Sequence, residues 1–172
     1  MNKKKVKEKI NITDLSNKQK NDYKKHEYKC KDQIYVPGTS QYFRSNDIVV
    51  NKVQMTIGDS ILKLLLRFLV ELKKRNGGWV SRATILDENI FNSSDPDNPQ
   101  GIEDFRKFYE LRKALKGYLL KKDSDKFIEN DRKGRYRISN HPDFITCNKE
   151  KLLNHKDSKI KKLAEELPDN DK

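Results

Sequence analysis

Cysteine is nearly absent from these 172 residues: Cys30 and Cys147 stand alone, with no CxxC partner and no spacing that supports a bridge. The three histidines, His26, His141 and His155, lie far apart, without H-x-x-x-H or Cys/His spacing, so neither a metal nor a cofactor is expected. Glycine is sparse at seven residues, which form no phosphate-cradling loop and no G-x-S-x-G turn. Acids are plentiful, but no pair stands out in an apolar setting that would tune its pKa. The expectation is that the chain is not an enzyme. Long hydrophobic runs are missing as well. The stretch 61–72 is too short to span a membrane and is broken by Lys63, Arg67 and Glu71. No signal-peptide pattern heads the sequence, and a reduced, cytoplasmic location is expected.

What the chain has in excess is positive charge. Thirty-eight Lys and Arg face 26 Asp and Glu, a net +12, and the excess is uneven. Residues 1–31 hold eleven Lys against four acids, and residues 102–137 hold twelve Lys and Arg against seven. Both segments are where a polyanion would be gripped. A hydrophobic fraction of 34% is low for a fully packed chain of this length. We therefore expect a basic flexible arm at 1–31, one domain at 32–139, and a charged tail at 140–172. The tail contains one helical pattern at 149–167, where Leu153, Ile160, Leu163 and Leu167 recur.

Residues 33–56 alternate short β-prone pieces (QIYV, QYF, IVV, VQMT) with turn formers, which predicts three or four short antiparallel strands. Thr56 and Asp59 have the spacing of a capping box opening a helix over 57–74. That helix is apolar nearly all round, with Lys63, Arg67, Glu71 and Lys74 as a narrow polar stripe, so it should be central and mostly buried. Arg75-Asn76-Gly77-Gly78 stops it, glycine being suited to the left-handed position past a helix end. A strand-like step at Trp79 and Val80 leads to a short helix over 82–89, N-capped by Ser81, with Ala83, Leu86 and Ile90 facing inward. Turn residues dominate 92–101.

The segment 101–139 carries the functional signal. A helix over 102–119 places Phe108, Leu111, Leu115 and Leu119 on one face, at about 100° per residue. Arg106, Tyr109, Glu110 and Lys113 lie opposite. The segment 126–138 then reads as a basic hairpin with Gly134 in its turn. An amphipathic basic helix followed by a basic ribbon suits a nucleic-acid duplex, with the helix in a groove and the ribbon along the backbone. Arg106, Tyr109 and Lys113 are the candidate base readers, Arg106 foremost because guanidinium matches guanine O6 and N7. Lys107, Arg112 and Lys116 on the flanks, with Arg132, Lys133, Arg135 and Arg137 in the hairpin, are candidate phosphate contacts. Strand alternation puts Arg135 and Arg137 on one side, with Tyr136 and Ile138 toward the core. The competing reading is a solvated helix face in which Arg106–Glu110 and Glu110–Lys113 pair.

From 51 to 138 the order of signals resembles the winged-helix effector domain of OmpR/PhoB-type response regulators. Met55-Thr56-Ile57-Gly58-Asp59 is similar to that family's Leu-Thr-x-x-Glu lead into the first helix. Gly78-Trp79-Val80-Ser81-Arg82 with Ile85-Leu86 resembles its Gly-x-Val-Ser-Arg-x-x-Leu-Leu step. Leu111-Arg112-Lys113-Ala114-Leu115 is similar to the Leu-Arg-x-Lys-Leu of its recognition helix, and the segment 132–138 resembles its Arg-Gly-x-Gly-Tyr-Arg-Leu wing. The resemblance covers about half the chain. It departs at the wing, where Lys133 and Arg135 replace the two glycines, and the residues ahead of the strands are too few for a receiver domain.

The resemblance implies an α+β winged helix-turn-helix: a small N-terminal antiparallel sheet, a three-helix core and a C-terminal β-hairpin wing. It implies binding to double-stranded DNA as a transcription regulator, and adds Arg82 to the backbone contacts. RNA polymerase or another protein could dock on the loop 92–101, and a homodimer is left open. The alternatives are a winged-helix protein-interaction module in a larger assembly, or a plasmid or phage replication or partition protein.

Overall fold

The computed structural model describes residues 25–87, 100–120 and 125–169. Its elements run β1 (Ile34–Val36), β2 (Asp47–Val50), β3 (Val53–Thr56), α1 (Asp59–Lys73), β4 (Val80–Ser81), α2 (Arg82–Asp87) and α3 (Gln100–Leu115). There follow β5 (Ile128–Asn130), β6 (Arg135–Ile138), a 3-10 turn, β7 (Ile145–Cys147), α4 (Lys149–Leu152) and α5 (Ser158–Glu165). The chain is α+β.

The alternating stretch gives three strands, with β1–β2 and β2–β3 antiparallel. Asn51 and Lys52, at φ 48° and 71°, make the two-residue turn between β2 and β3, a conformation that matches the twist of a tight hairpin. The QYF piece at 41–43 is loop. β7 joins from the far end of the sequence, parallel to β1, with Ile34 opposite Ile145 and Val36 opposite Cys147. The sheet order is β3-β2-β1-β7, so this sheet is mixed rather than wholly antiparallel. β4, β6 and β5 form a second, three-stranded sheet in that order.

α1 is the central helix. It has no capping box, because the Thr56 hydroxyl turns to Asp47 Oδ1 at 2.5 Å, and the residue before the helix is Gly58, which makes no side-chain cap. Asp59 in the first turn still complements the helix dipole. After the helix the left-handed position falls to Arg75 (φ 58°), with Gly77 and Gly78 following at 100° and 77°. A Cβ on Gly78 would come within 2.8 Å of Leu72 Cδ1, so glycine is needed there for space as well as for φ.

The first half of the polar stripe along this helix is not solvated, whereas Lys74 at its end is exposed. Lys63 and Arg67 are each only 3% exposed. α5 packs over them: Lys63 Nζ meets Asp157 at 2.8 Å, and Arg67 meets Glu71 at 2.9 Å and Glu166 at 3.4 Å. Leu152, Ile160, Leu163, Ala164 and Leu167 are buried in the same core as α1, which makes the expected tail a structural layer. The expected arm likewise enters the fold at its end. Tyr28 and Cys30 are buried, and Lys29 and Cys30 donate backbone hydrogen bonds to Ser139 O. The boundaries drawn at 31 and 140 therefore fall inside the packed unit; residues 1–24 lie outside the described residues.

Among the described residues no helix is long and apolar enough to cross a membrane.

Candidate nucleic-acid interface

α3 is held by its apolar face. Phe108, Leu111 and Leu115 are buried, with Leu119 just beyond the helix, as the spacing predicts. Phe108 stacks on Tyr136 of β6 at 4.6 Å between ring centroids and tilts against Phe68 of α1 at 5.9 Å. These contacts fix which face of α3 turns outward. On that face the Arg106 side chain is 78% exposed and Tyr109 is 63% exposed. Lys113 and Lys116 are exposed as well. Arg112 is exposed on the flank, and its Nη2 donates to Ile128 O of β5 at 3.3 Å, tying helix to hairpin. Tyr109, Arg112, Lys113 and Lys116 line, with Asp125, an open groove of about 550 Å³. Lys107 is half-buried and paired to Glu110 at 3.0 Å, and Arg106 lies 3.5 Å from the other oxygen of the same carboxylate. Of the two pairs in the competing reading, Arg106–Glu110 is present, and Glu110 takes Lys107 rather than Lys113 as its second partner.

The hairpin turn is built by an amide and an acid that the basic composition hides. Asn130 Oδ1 accepts from Arg132 N at 2.7 Å, and Asp131 Oδ1 accepts from Lys133 N and Arg135 N at 2.8 and 3.0 Å. Arg132 at φ 60° and Gly134 at 85° complete a tip that a two-glycine wing would turn differently. Burial pushes the Asp131 carboxyl up, but Arg135 and the two N–H donors outweigh it and hold its pKa below the ordinary value. Arg132 and Lys133 project at the tip, exposed. Arg135 is exposed but occupied, with Nε 2.6 Å from Asp131 and its guanidinium 5.5 Å from the Trp79 ring. At the base of the tip, Arg82 N donates to Gly134 O at 2.9 Å, and the Arg82 side chain is half-buried.

Comparison with protein-family models, curated proteins and solved structures finds no match.

Arg137 is the clear correction among the expected backbone contacts. It is 3% exposed, its guanidinium 4.6 Å from the Trp79 ring and 5.3 Å from the Tyr28 ring. Nε meets Glu129 at 2.6 Å, and the Nη atoms donate to His26 O, Gly77 O and Glu27 O. Tyr136 and Ile138 face the core as alternation requires, but residues 26–28 and Trp79 cover the other side of β6, so Arg137 is enclosed there. Glu129 is pushed up by burial and pulled further down by Lys29 and Arg137, and stays ionised. The same geometry makes Trp79 a structural platform under two arginines.

On α2, the Ser81 hydroxyl accepts from Thr84 N at 3.0 Å, the expected N-cap. Ala83, expected to face inward, is exposed, and Ile85 is buried. The Leu86 side chain, Ile90 and residues 92–99 of the loop lie outside what is described. Asp131 and Glu129 are the residues that the sequence pattern did not single out. An Asn-Asp pair just before a glycine-bearing turn was the available signal for the first of them.

Proposed function

We propose that this chain binds double-stranded DNA through a winged helix, with α3 in the major groove and the β5–β6 hairpin along the phosphate backbone. The observation that carries the reading is a topology joined to a charge pattern. Helix, strand, helix, helix and hairpin follow in order from α1 to β6, and the lone strand β4 pairs with the second strand of the hairpin. In that frame the outward face of the third helix is basic and aromatic, and the hairpin tip is basic. Arg106, Tyr109 and Lys113 are the base-reading set. Lys107, Arg112, Lys116, Arg82, Arg132, Lys133 and Arg135 serve the backbone, and Arg137 serves the fold. Four of these cations, Lys113, Lys116, Arg132 and Lys133, are exposed and make no ion pair with another described residue.

A transcription regulator is the role that fits a single duplex-reading unit of this kind. Selection from random duplexes, followed by salt titration on the enriched site, tests the reading. With about four phosphates neutralised, log K should fall against log salt with a slope of roughly −4. A slope near zero, or no enrichment, would overturn it in favour of a protein-interaction module.

A further inference from the structure

Glu110 is an acid on the face that should meet a polyanion. An unpaired carboxylate there would repel phosphate, yet this one has two partners that engage separate oxygens. Arg106 Nε lies 3.5 Å from Oε1, and Lys107 Nζ lies 3.0 Å from Oε2. The carboxylate is one-third exposed, against 78% for the Arg106 side chain, so the more buried partner restrains the freer one. Lys107, half-buried on the flank, holds the second oxygen and limits rotation of the carboxylate. The atom of Arg106 that faces Glu110 is Nε. Neither terminal Nη group has an acceptor among the described residues, and a pair of Nη donors is what guanine O6 and N7 take bidentately.

We infer that Glu110 is a positioning residue for base recognition. It holds Arg106 by the Nε edge so that the two Nη groups face a guanine. Lys107 secures the carboxylate. The inference rests on the DNA-binding reading above and adds a specificity determinant to it. A guanidinium on a long exposed side chain samples many rotamers, and reading a base requires losing most of them. A neighbour four residues on that removes some of that freedom beforehand sharpens discrimination more than it raises total affinity. Total affinity should in fact suffer from the negative charge, so specificity and nonspecific binding respond to Glu110 in opposite directions. A plain surface ion pair does not produce that split.

The test uses the full chain with Glu110→Ala, Glu110→Gln, Arg106→Ala and the double variant, each checked for an unchanged thermal melt. Random-duplex selection identifies the base position at which Arg106→Ala loses its preference. Glu110→Ala should lose about tenfold in discrimination at that same position while binding a random duplex more tightly than the parent. Glu110→Gln, which keeps the shape but removes the charge that draws Nε in without a hydrogen bond, should lose discrimination nearly as far as Glu110→Ala and also gain nonspecific affinity. The double variant should discriminate no worse than Arg106→Ala alone. If Glu110→Ala tightened binding to all duplexes evenly and left the preferred sequence intact, the positioning role would be wrong while DNA binding stood. If the parent enriched no sequence, the DNA reading itself would fall, and the role of Glu110 with it.

Discussion

α1 and α3 both carry lysines and arginines at helical spacing, and in sequence their basic stripes look alike. Their fates differ because of what arrives to cover them. Over α1 comes α5, bringing Asp157 and Glu166 to Lys63 and Arg67, and the stripe becomes a set of ion pairs inside the protein. Over Arg106, Tyr109, Lys113 and Lys116 nothing arrives among the described residues, and the stripe stays outside. Positive charge along a helix therefore indicates a need for anions without saying whether the chain itself supplies them. The same contrast recurs two residues apart in β6, where Arg137 is enclosed and Arg135 is exposed.

The strongest test of that contrast is removal of the cover. Ending the chain after Asn148 deletes α4 and α5, with Leu152, Ile160, Leu163, Ala164 and Leu167. At about 1.5–3 kcal/mol for each large apolar side chain, the loss approaches the whole stability expected of such a domain. No cooperative unfolding transition should remain by circular dichroism. A truncated protein that melted normally would show that the stripe on α1 tolerates water.

Smaller changes divide the two classes of arginine. Arg67→Ala and Arg137→Ala should each destabilise by about 3 kcal/mol in urea titrations, since each leaves an acid without the buried partner it was folded around. Lys133→Ala and Arg132→Ala should change stability by less than about 0.5 kcal/mol and weaken binding to all duplexes alike. If Arg137→Ala instead left the urea midpoint in place and weakened binding, the enclosure described for it would be wrong.

Arg106→Ala sharpens the comparison from the other side. It should weaken binding to the best duplex by about 1–3 kcal/mol and relax preference at one or two base positions, with stability nearly unchanged. Lys113→Ala should cost less. Unchanged affinity and specificity for Arg106→Ala on a selected site would show that α3 is not the reader.

The smallest expected effect is on pH. Burial pushes Asp157 up, but Lys63 and the N–H groups of Lys159 and Ile160 outweigh it, and its pKa lies below the ordinary value. Burial holds His155 below its ordinary 6.5, against the pull of Asp59 and Asp157, and keeps it neutral. In both cases the unfolded chain takes up a proton before the folded one as pH falls, so acidification lowers stability. The decline should begin below about 6.5 with His155 and continue below about 4 with Asp157, read as falling urea midpoints. A midpoint that rose between neutral and mildly acidic pH would contradict the neutral His155.

Much of the frame was legible because it is written in local periodicity. Phe108, Leu111, Leu115 and Leu119 predict the buried face of α3, and the near-continuous apolar run of α1 predicts a central helix. The strands around Asn51 follow from alternation and turn residues. What escaped is non-local. No window around Arg137 contains Tyr28, and none around Lys63 contains Asp157, so neither enclosure had a local signature. Thr56 had a capping pattern, but a competing partner nine residues back took its hydroxyl. At the candidate interface the cations were visible as composition. Glu110 was visible as a helical-spacing partner of Arg106, but its pair with Lys107 was not, and Asp131 was missed altogether, since a carboxylate among lysines has no distinct pattern until its partners have coordinates.

The parallel pairing of β1 with β7 joins residues 34 and 145, and Asp32 and Asn140 exchange hydrogen bonds across a separation of 108 residues. Such contacts are slow to form, because a long loop must close before anything compensates for its entropy. On a ribosome adding about 5–20 residues each second, α1 would be complete several seconds before Asp157 is made. Through that interval Lys63 lacks Asp157 and Arg67 has only Glu71 of its own helix and not yet Glu166, so the helix has every reason to stay wet. Synthesis of α5 is then the event that lets the domain close, and a nascent chain stalled before it should remain open to protease.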